Sequence, residues 1–125
     1  MVNYEGIVLS LGSNIGDRET NLSLALLELA SIAQIKSVSS IYETEALLMK
    51  NQANFYNIAI EIEYTKNANN LLDEIKKIEI NLGRKKIIRY GPRIIDIDII
   101  FFRGENISTG LLTIPHYAWR ERLFV

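Results

Sequence analysis

Hydrophobic and polar residues alternate with two different periods along the chain, and the changes of period predict where its strands and helices lie. The aliphatic run at 6–12 (GIVLSLG) ends at a Gly-Ser-Asn turn and is typical of a buried strand. From Asp17 onward the apolar positions recur at helical spacing, and Asp17 and Glu19 suit the positive end of a helix dipole. The predicted apolar stripe of this helix consists of Leu22, Ala25, Leu26, Leu29, Ala30 and Ala33.

The middle of the chain predicts two more strands with a loop between them. Residues 33–45 alternate weakly through Val38, Ser40 and Tyr42 and predict one strand. Residues 45–55 show no period and predict a loop. Residues 57–64 (NIAIEIEY) alternate cleanly and predict a half-exposed strand, with Ile58, Ile60, Ile62 and Tyr64 on one face.

A second helix follows, with a predicted stripe of Leu71, Ile75, Ile78 and Leu82. Asn69 or Asn70 is its predicted N-terminal cap, and Gly83 is its predicted stop.

The remaining segments predict a basic loop at 84–93, a strand at 94–102 (IIDIDIIFF), a turn at 104–110, and a short strand in 111–125 that Pro115 breaks. The predicted order is therefore β-α-β-β-α-β. This order is the split βαβ, ferredoxin-like plan of the α+β class, an antiparallel sheet with both helices packed on one face.

Composition narrows the class of protein. A chain of 125 residues predicts one domain, and 48% apolar with 23% charged residues is ordinary for a globular fold. A net charge of -1 disfavours binding to nucleic acid or to an anionic membrane. With no cysteine, any metal would be held by oxygen ligands or by the single histidine. No signal peptide and no apolar run of about 18 residues is evident, so we expect a cytoplasmic protein.

The most apolar run of the chain contains two aspartates, Asp96 and Asp98. Side chains two apart on a strand project to the same face, roughly 6.6 Å apart, while Ile95, Ile97 and Ile99 project into the core. Two such carboxylates can hold one Mg²⁺ between them or one ion each. The alternative is a solvated strand face, which is the better interpretation of an isolated D-x-D.

A cluster of cations just upstream changes that balance: Arg84, Lys85, Lys86, Arg89 and Arg93. A charge run is usually a solvated loop, but this one leads directly into the strand with the aspartates. Carboxylates and cations together are what a metal-bound nucleoside triphosphate requires, which favours phosphoryl transfer. No P-loop motif is present. "GSNIGD" at 12–17 has two glycines and is a weak candidate for a phosphate loop, but it is better interpreted as a structural strand-to-helix turn.

Three further residues stand out. His116 is the only histidine, and a lone histidine is more often structural than catalytic, although potential phosphate donors such as Arg122 lie close to it in sequence. Phe55 and Phe124, from their sequence positions alone, are better interpreted as core residues than as stacking platforms.

Five segments together resemble the 6-hydroxymethyl-7,8-dihydropterin pyrophosphokinase family of the folate pathway. They are "LSLGSNIGD", "FYNIAIEIE", "IEINLGR", "RYGPRIIDIDIIFF" and "LTIPHYAWRERLFV", and the resemblance runs from about residue 5 to the last residue. It implies transfer of the terminal diphosphate of ATP to the hydroxymethyl group of a reduced pterin, with release of AMP.

The resemblance also implies roles for individual residues. Asp96 and Asp98 match the aspartates that bind two Mg²⁺ ions, Asp98 is placed to accept the hydroxyl proton, and Arg84 and Arg93 match catalytic arginines. The implied ATP contacts are Glu79, Arg84, Ile99, Thr113, His116, Tyr117 and Arg122. The implied pterin contacts are Thr44, Leu47, Phe55, Asn57, Tyr90, Arg93 and Phe124, with Phe55 and Phe124 on the two faces of the ring. ATP and the pterin are the expected small-molecule partners, and no nucleic acid or membrane is expected.

The chain departs from the family pattern at several places. Tyr90 replaces a usual tryptophan, Lys86 a frequent arginine, and residues 45–46 a proline-containing segment. Family members continue beyond the position of Val125, so we expect a single domain, 1–125, that is C-terminally short. That shortness leaves open an alternative function, a catalytically impaired module that binds pterin or ATP. An unrelated RNA-recognition domain would need exposed aromatics and a basic surface, which the sequence lacks.

Overall fold

The computed structural model describes residues 5–45, 53–83, 94–108 and 112–114. The element order there confirms the predicted β-α-β-β-α-β plan and the short strand expected in 111–125, with two further short strands added. The elements are β1 (Ile7–Ser13), α1 (Arg18–Ala30), β2 (Gln34–Val38), β3 (Tyr42–Thr44), β4 (Phe55–Glu63), α2 (Ala68–Asn81), β5 (Asp96–Phe102), β6 (Ile107–Ser108) and β7 (Thr113–Ile114).

The main sheet is antiparallel in the order β2-β4-β1-β5, with β3 paired to β4 beyond the end of β2. β1 therefore lies at the centre between β4 and β5. β4 is inserted between β1 and β2, which are joined through α1, and this is the split βαβ arrangement of the predicted ferredoxin-like plan. β6 and β7 form a separate two-stranded sheet.

Helix α1 begins where the charge pattern predicts. Asp17 is its N-terminal cap and accepts a hydrogen bond from the backbone N–H of Thr20 at 3.0 Å. That hydrogen bond lowers the pKa of Asp17 below its usual value. The helix is shorter than the predicted stripe, because the Ser31 N–H bonds to the carbonyl of Glu28 and tightens the last turn. Ala30, the last helical residue, is exposed and not part of the apolar stripe, and Ala33 lies beyond the helix.

Helix α2 begins earlier than predicted. Its cap is Asn67, whose side chain accepts the N–H of Asn70 at 2.9 Å, so the prediction of Asn69 or Asn70 was wrong. The physical reason is Ala68, which is 3% exposed and packs into the core as the first helical residue. Gly83 follows the helix with a φ of 100°, and its N–H bonds to the Ile80 carbonyl, as a glycine stop requires.

Three predictions about strands and turns need correction. The single strand expected at 33–45 is two strands, because the Ser39 hydroxyl accepts the N–H of Ala59 at 2.9 Å in place of a backbone carbonyl and ends the β2 ladder. The turn expected at 104–110 contains β6, which pairs with β7. The strand expected at 94–102 begins at Asp96.

The core lies between the helices and one face of the sheet. Each fully buried aliphatic side chain there contributes about 1.5–3 kcal/mol through removal from water. Neither helix of the described ranges is long and apolar enough to cross a membrane. The core is built largely from Ile7, Leu9, Leu11, Ile58, Ile60, Ile62, Ile97 and Ile99 of the sheet and Leu22, Ala25, Leu29, Leu71, Ile75 and Ile78 of the helices.

Candidate active site

The register of the sheet places the predicted aspartates and the predicted pterin-binding amide on the same face. Residues paired across antiparallel strands project to the same side. Asp96 pairs with Gly12, and Gly12 pairs with Asn57 on its other side. Asp98 pairs with Ser10 one step further along. Asp96 and Asn57 are thus two strands apart, roughly 10 Å, on the face opposite the core, which we call the open face.

The two aspartates alternate with buried isoleucines, as predicted. Ile95, Ile97 and Ile99 are 0%, 5% and 3% exposed, while Asp96 and Asp98 are half-buried. Their carboxylates are hard oxygen ligands of the kind Mg²⁺ prefers, and Mg²⁺ usually completes its shell with water and phosphate. The part of the chain that the structure describes has no group of three or more His, Asp or Glu side chains placed to hold a metal. Asp96 and Asp98 are the oxygen donors at β5, and two carboxylates are enough for Mg²⁺ where water and phosphate complete its shell.

Glu79 reaches the same strand from the opposite side. It lies on α2, is 4% exposed, and accepts the backbone N–H of Ile97 at 2.9 Å. Ile97 is the residue between the two aspartates, so Glu79 restrains the backbone from which both project. The sequence placed Glu79 near the nucleoside and did not anticipate this contact.

Ile99 has its side chain in the core, so any contact it makes with a nucleotide would use its backbone. Among the described strands, β5 is hydrogen-bonded to β1 alone. Backbone N–H groups alternate in direction along a strand. The N–H of Ile99 therefore points, like that of Ile97, toward the edge that faces away from β1.

Asn57 is held in one orientation by β3. Its Nδ2 atom lies 3.2 Å from the carbonyl oxygen of Tyr42, 3.0 Å from Oγ1 of Thr44 and 3.3 Å from the carbonyl of Phe55. These contacts use the donor side of the amide and turn Oδ1 toward β1. Thr44 and Asn57, both predicted to contact a pterin edge, are hydrogen-bonded to each other.

Gly12 makes room for that arrangement. A Cβ atom at this position would lie 2.9 Å from Oδ1 of Asn57 and 3.3 Å from Cδ1 of Phe55, closer than side-chain carbons normally approach. Sequence reasoning missed this role because it interpreted Gly12 only as the start of a turn. The sequence did contain a signal, a glycine at the end of a strand predicted to be buried. That strand, β1, lies between β4 and β5, which carry the site residues.

The rest of the "GSNIGD" segment supports its structural interpretation. The Nδ2 atom of Asn21 donates to Oγ of Ser13 at 3.1 Å and to the carbonyl of Ile15 at 2.8 Å. Gly16 has a φ of 73°, a left-handed conformation that favours glycine. The turn therefore links β1 to α1 through a fixed set of hydrogen bonds.

The structure brings five predicted site residues to the open face and leaves others elsewhere or undescribed. Thr44, Phe55, Asn57, Asp96 and Asp98 share that face. Thr113 lies exposed on β7, paired with Ser108. The predicted residues that lie outside the described ranges are Leu47, Arg84, Tyr90, Arg93, His116, Tyr117, Arg122 and Phe124.

A cavity of about 850 Å³ lies at the other end of the sheet and includes none of the predicted site residues. Glu5, Lys36, Glu63, Tyr64 and Arg103 are among the residues around it. Burial and a hydrogen bond to the carboxylate of Glu74 raise the pKa of Tyr64. We find no cluster of groups there that matches the predicted chemistry.

The family assignment follows from comparison with known proteins. The sequence profile of the 7,8-dihydro-6-hydroxymethylpterin-pyrophosphokinase family matches residues 8–125. The chain belongs to this family. The resemblance expected from its motifs is confirmed.

Relatives of the family share about two fifths or more of their aligned residues with the chain. Identity is 47% over 119 residues to the 2-amino-4-hydroxy-6-hydroxymethyldihydropteridine pyrophosphokinase of Bacillus subtilis, covering 94% of this chain and 71% of that protein. It is 39% over 118 residues to the protein of the same name from Aquifex aeolicus, covering 94% and 74%. It is 40% over 122 residues to a mitochondrial folate synthesis bifunctional protein of Pisum sativum, covering 97% of this chain but 24% of that protein.

Proposed function

We propose that this protein is a pyrophosphokinase of folate biosynthesis. It transfers diphosphate from ATP to the hydroxymethyl group of 6-hydroxymethyl-7,8-dihydropterin and releases AMP. The observation that carries the proposal is the shared open face, where Gly12 separates the amide of Asn57 from the carboxylate of Asp96. Membership of the pyrophosphokinase family supports the same reaction.

The reaction forms one bond and breaks one bond at the β-phosphorus of ATP. The hydroxymethyl oxygen bonds to the β-phosphorus, and the bond from that atom to the α,β-bridging oxygen breaks. AMP leaves with the bridging oxygen, and the hydroxyl proton is lost. The protein's contribution is to align the two substrates and to offset negative charge.

Asp96 and Asp98 are the residues we propose to hold Mg²⁺, with two ions expected and with water and phosphate oxygens as their other ligands. When bound, Mg²⁺ supplies positive charge that offsets the triphosphate and lowers the pKa of the attacking hydroxyl. Asp98 is the proposed acceptor of the hydroxyl proton. The half-burial of both carboxylates supports this role, because they remain accessible from the open face.

The pterin is proposed to lie against Phe55 with its polar edge toward Asn57 and Thr44. Because Nδ2 of Asn57 already donates to Tyr42 and Thr44, its Oδ1 is the atom available to accept N–H groups of the pterin. The Thr44 hydroxyl accepts from Asn57, so its own proton is available for a ring nitrogen or carbonyl. This donor and acceptor pattern complements a pterin edge.

The remaining roles stay predictions from the sequence. Glu79, the backbone of Ile99 and Thr113 are the proposed ATP contacts within the described residues. The others lie outside them: Arg84, His116, Tyr117 and Arg122 for ATP, Leu47, Tyr90 and Phe124 for the pterin, and Arg93 for both the phosphates and the pterin. A cytoplasmic location and the lack of nucleic-acid or membrane partners also remain predictions.

The decisive test incubates the protein with ATP, Mg²⁺ and 6-hydroxymethyl-7,8-dihydropterin and measures AMP. We expect AMP and the pterin diphosphate in equal amounts, dependent on the pterin and abolished by chelation of the metal. Binding of ATP without release of AMP would contradict the enzyme proposal and would favour the impaired binding module.

A further inference from the structure

Arg18, the first residue of α1, contacts the start of β4 in two ways. Its Nη1 atom donates to the carbonyl oxygen of Asn54 at 2.8 Å, and its guanidinium carbon lies 3.8 Å from the centre of the Tyr56 ring. The two contacted residues flank Phe55, the proposed pterin platform. We infer that Arg18 is a positioning residue for the pterin site, which acts by fixing the backbone on both sides of Phe55.

Other contacts make the same region a fixed junction. The buried Asn14 donates from Nδ2 to the carbonyl of Ala53 at 3.3 Å. Asn54 donates from its own side chain to Oε2 of Glu43 at 3.1 Å. The turn after β1, the start of α1 and β3 thus hold residues 53, 54 and 56, which surround Phe55, the first of the two proposed pterin contacts on β4.

The alternation of a strand explains how a contact on one face orients a residue on the other. Tyr56 projects to the helix side and packs against the core, while Phe55 and Asn57 project to the open face. A backbone rotation that released Tyr56 from Arg18 would turn Phe55 as well. The fit there is tight, since the Phe55 ring lies only 3.3 Å from where a side-chain carbon of Gly12 would stand.

An arginine is the side chain suited to this task. Its planar guanidinium can lie over an aromatic ring while an N–H at its edge donates in the plane of the group. A lysine ammonium can make one of the two contacts at a time. Arg18→Lys should therefore behave as an intermediate variant and not as a conservative one.

The chain offers a matched control at the far end of the sheet. Arg103 also donates to a backbone carbonyl, that of Tyr64, and its guanidinium carbon lies 4.8 Å from the centre of the Phe102 ring. Its two contacts involve none of the proposed pterin residues that the structure describes, which are Thr44, Phe55 and Asn57. Arg103→Ala thus removes the same kinds of contact without touching the start of β4.

The inference rests on the proposed function, since it assigns a role in binding the pterin. Isothermal titration calorimetry of the wild type and of Arg18→Ala, Arg18→Lys and Arg103→Ala tests it, with 6-hydroxymethyl-7,8-dihydropterin titrated in the presence of a non-hydrolysable ATP analogue. The analogue is also titrated alone, and the melting temperature of each variant is recorded. We expect Arg18→Ala to weaken pterin binding about tenfold, Arg18→Lys less, and analogue binding to be unchanged.

Arg103→Ala is expected to lower the melting temperature comparably but to leave both affinities at the wild-type level. Unchanged pterin affinity in Arg18→Ala, or an equal loss of pterin and analogue affinity, would overturn the inference. If Arg18→Ala fails to fold, Arg18→Lys decides the question by the same criterion. A wild type that binds no pterin would instead contradict the proposed function, and the inference with it.

Discussion

The two faces of the main sheet come from the same strands but carry different kinds of side chain. The helix-covered face carries Ile58, Ile60, Ile97 and Ile99, each at most 5% exposed. The open face carries Asp96, Asp98, Asn57, Thr44 and Gly12 near one end of the sheet. The side chains of the helix-covered face must have the shape and volume that pack against α1 and α2. The side chains of the open face are suited to polar contacts, so substitutions there should change turnover more than stability.

The sharpest test of that difference replaces an open-face carboxylate. Asp96→Asn or Asp98→Asn should lower the rate of AMP formation by on the order of 10²-fold or more, because a charged oxygen ligand is lost where charge must be offset. The free energy of unfolding should stay near the wild-type value. A rate assay and urea unfolding measure the two quantities.

The matched control is Glu61→Gln. Glu61 is a carboxylate on the same face but further along β4, and its Oε2 atom forms an ion pair with Nζ of Lys36 at 3.9 Å. Its rate should be unchanged, since exposed ion pairs contribute little. Loss of folding in the aspartate variants, or a near-normal rate, would disprove the metal assignment.

Replacing Glu79, the carboxylate on the helix-covered side, should lower the free energy of unfolding. Glu79→Ala leaves the buried N–H of Ile97 without its acceptor, which should cost about 1–3 kcal/mol in the free energy of unfolding. Glu79→Gln keeps an oxygen acceptor and should cost less. Urea unfolding of both variants gives the comparison, and equal losses for the two would mean that the Ile97 contact is not what Glu79 contributes.

The close approach at Gly12 predicts a selective effect on one substrate. Gly12→Ala places a carbon 2.9 Å from Oδ1 of Asn57, so the amide must move and pterin binding should weaken about tenfold. Affinity for an ATP analogue should not change. Titration calorimetry with each ligand measures both values.

A double variant tests whether Asn57 transmits that effect. In the Asn57→Ala background the crowding is relieved, so the additional cost of Gly12→Ala should be smaller than in the wild type. Additive losses would show that Gly12 acts on the pterin site by another route.

The smallest expected effect concerns the helix cap that supports the covered face. The pKa of Asp17 is lowered from 3.8 by its hydrogen bond to the Thr20 N–H, so its contribution to stability is present above that value and is lost as pH falls through the lowered pKa. Asp17→Asn caps without titrating. The stability of the wild type relative to this variant should therefore decline between neutral pH and acid, as measured by thermal unfolding. A constant difference would contradict the role of the ionised cap.

Strands with a clear alternation of apolar and polar residues were predictable from the sequence, and the bounds of elements with weak alternation were not. β4 and β5 were expected from clean alternation at 57–64 and in the D-x-D run, and both are confirmed. The weak alternation at 33–45 did not show that this segment forms two strands. The hydrogen bond between Ser39 and Ala59 that separates them depends on a strand twenty residues away. The cap of α2 was misplaced for a similar reason, since the burial of Ala68 is a tertiary contact.

The candidate site was predictable in its residue types but not in its supporting contacts. Spacing together with the basic loop upstream marked the aspartates as a candidate metal site, and the resemblance supplied Thr44, Phe55 and Asn57. The contacts of Arg18 with Asn54 and Tyr56 span 36 and 38 positions along the chain, and no local pattern marks them.

The amino-acid sequence by itself determined the order of the main helices and strands, the location of Asp96 and Asp98 on one side of a strand, and the family. Those properties depend on hydrophobic period, residue type and motif, all of which can be identified within short stretches of the sequence. Only the tertiary structure decided that Gly12 lies between Asn57 and Asp96 and that Glu79 holds the backbone between the aspartates. These follow from strand order and register, and β1 meets β4 and β5 only after the chain has folded.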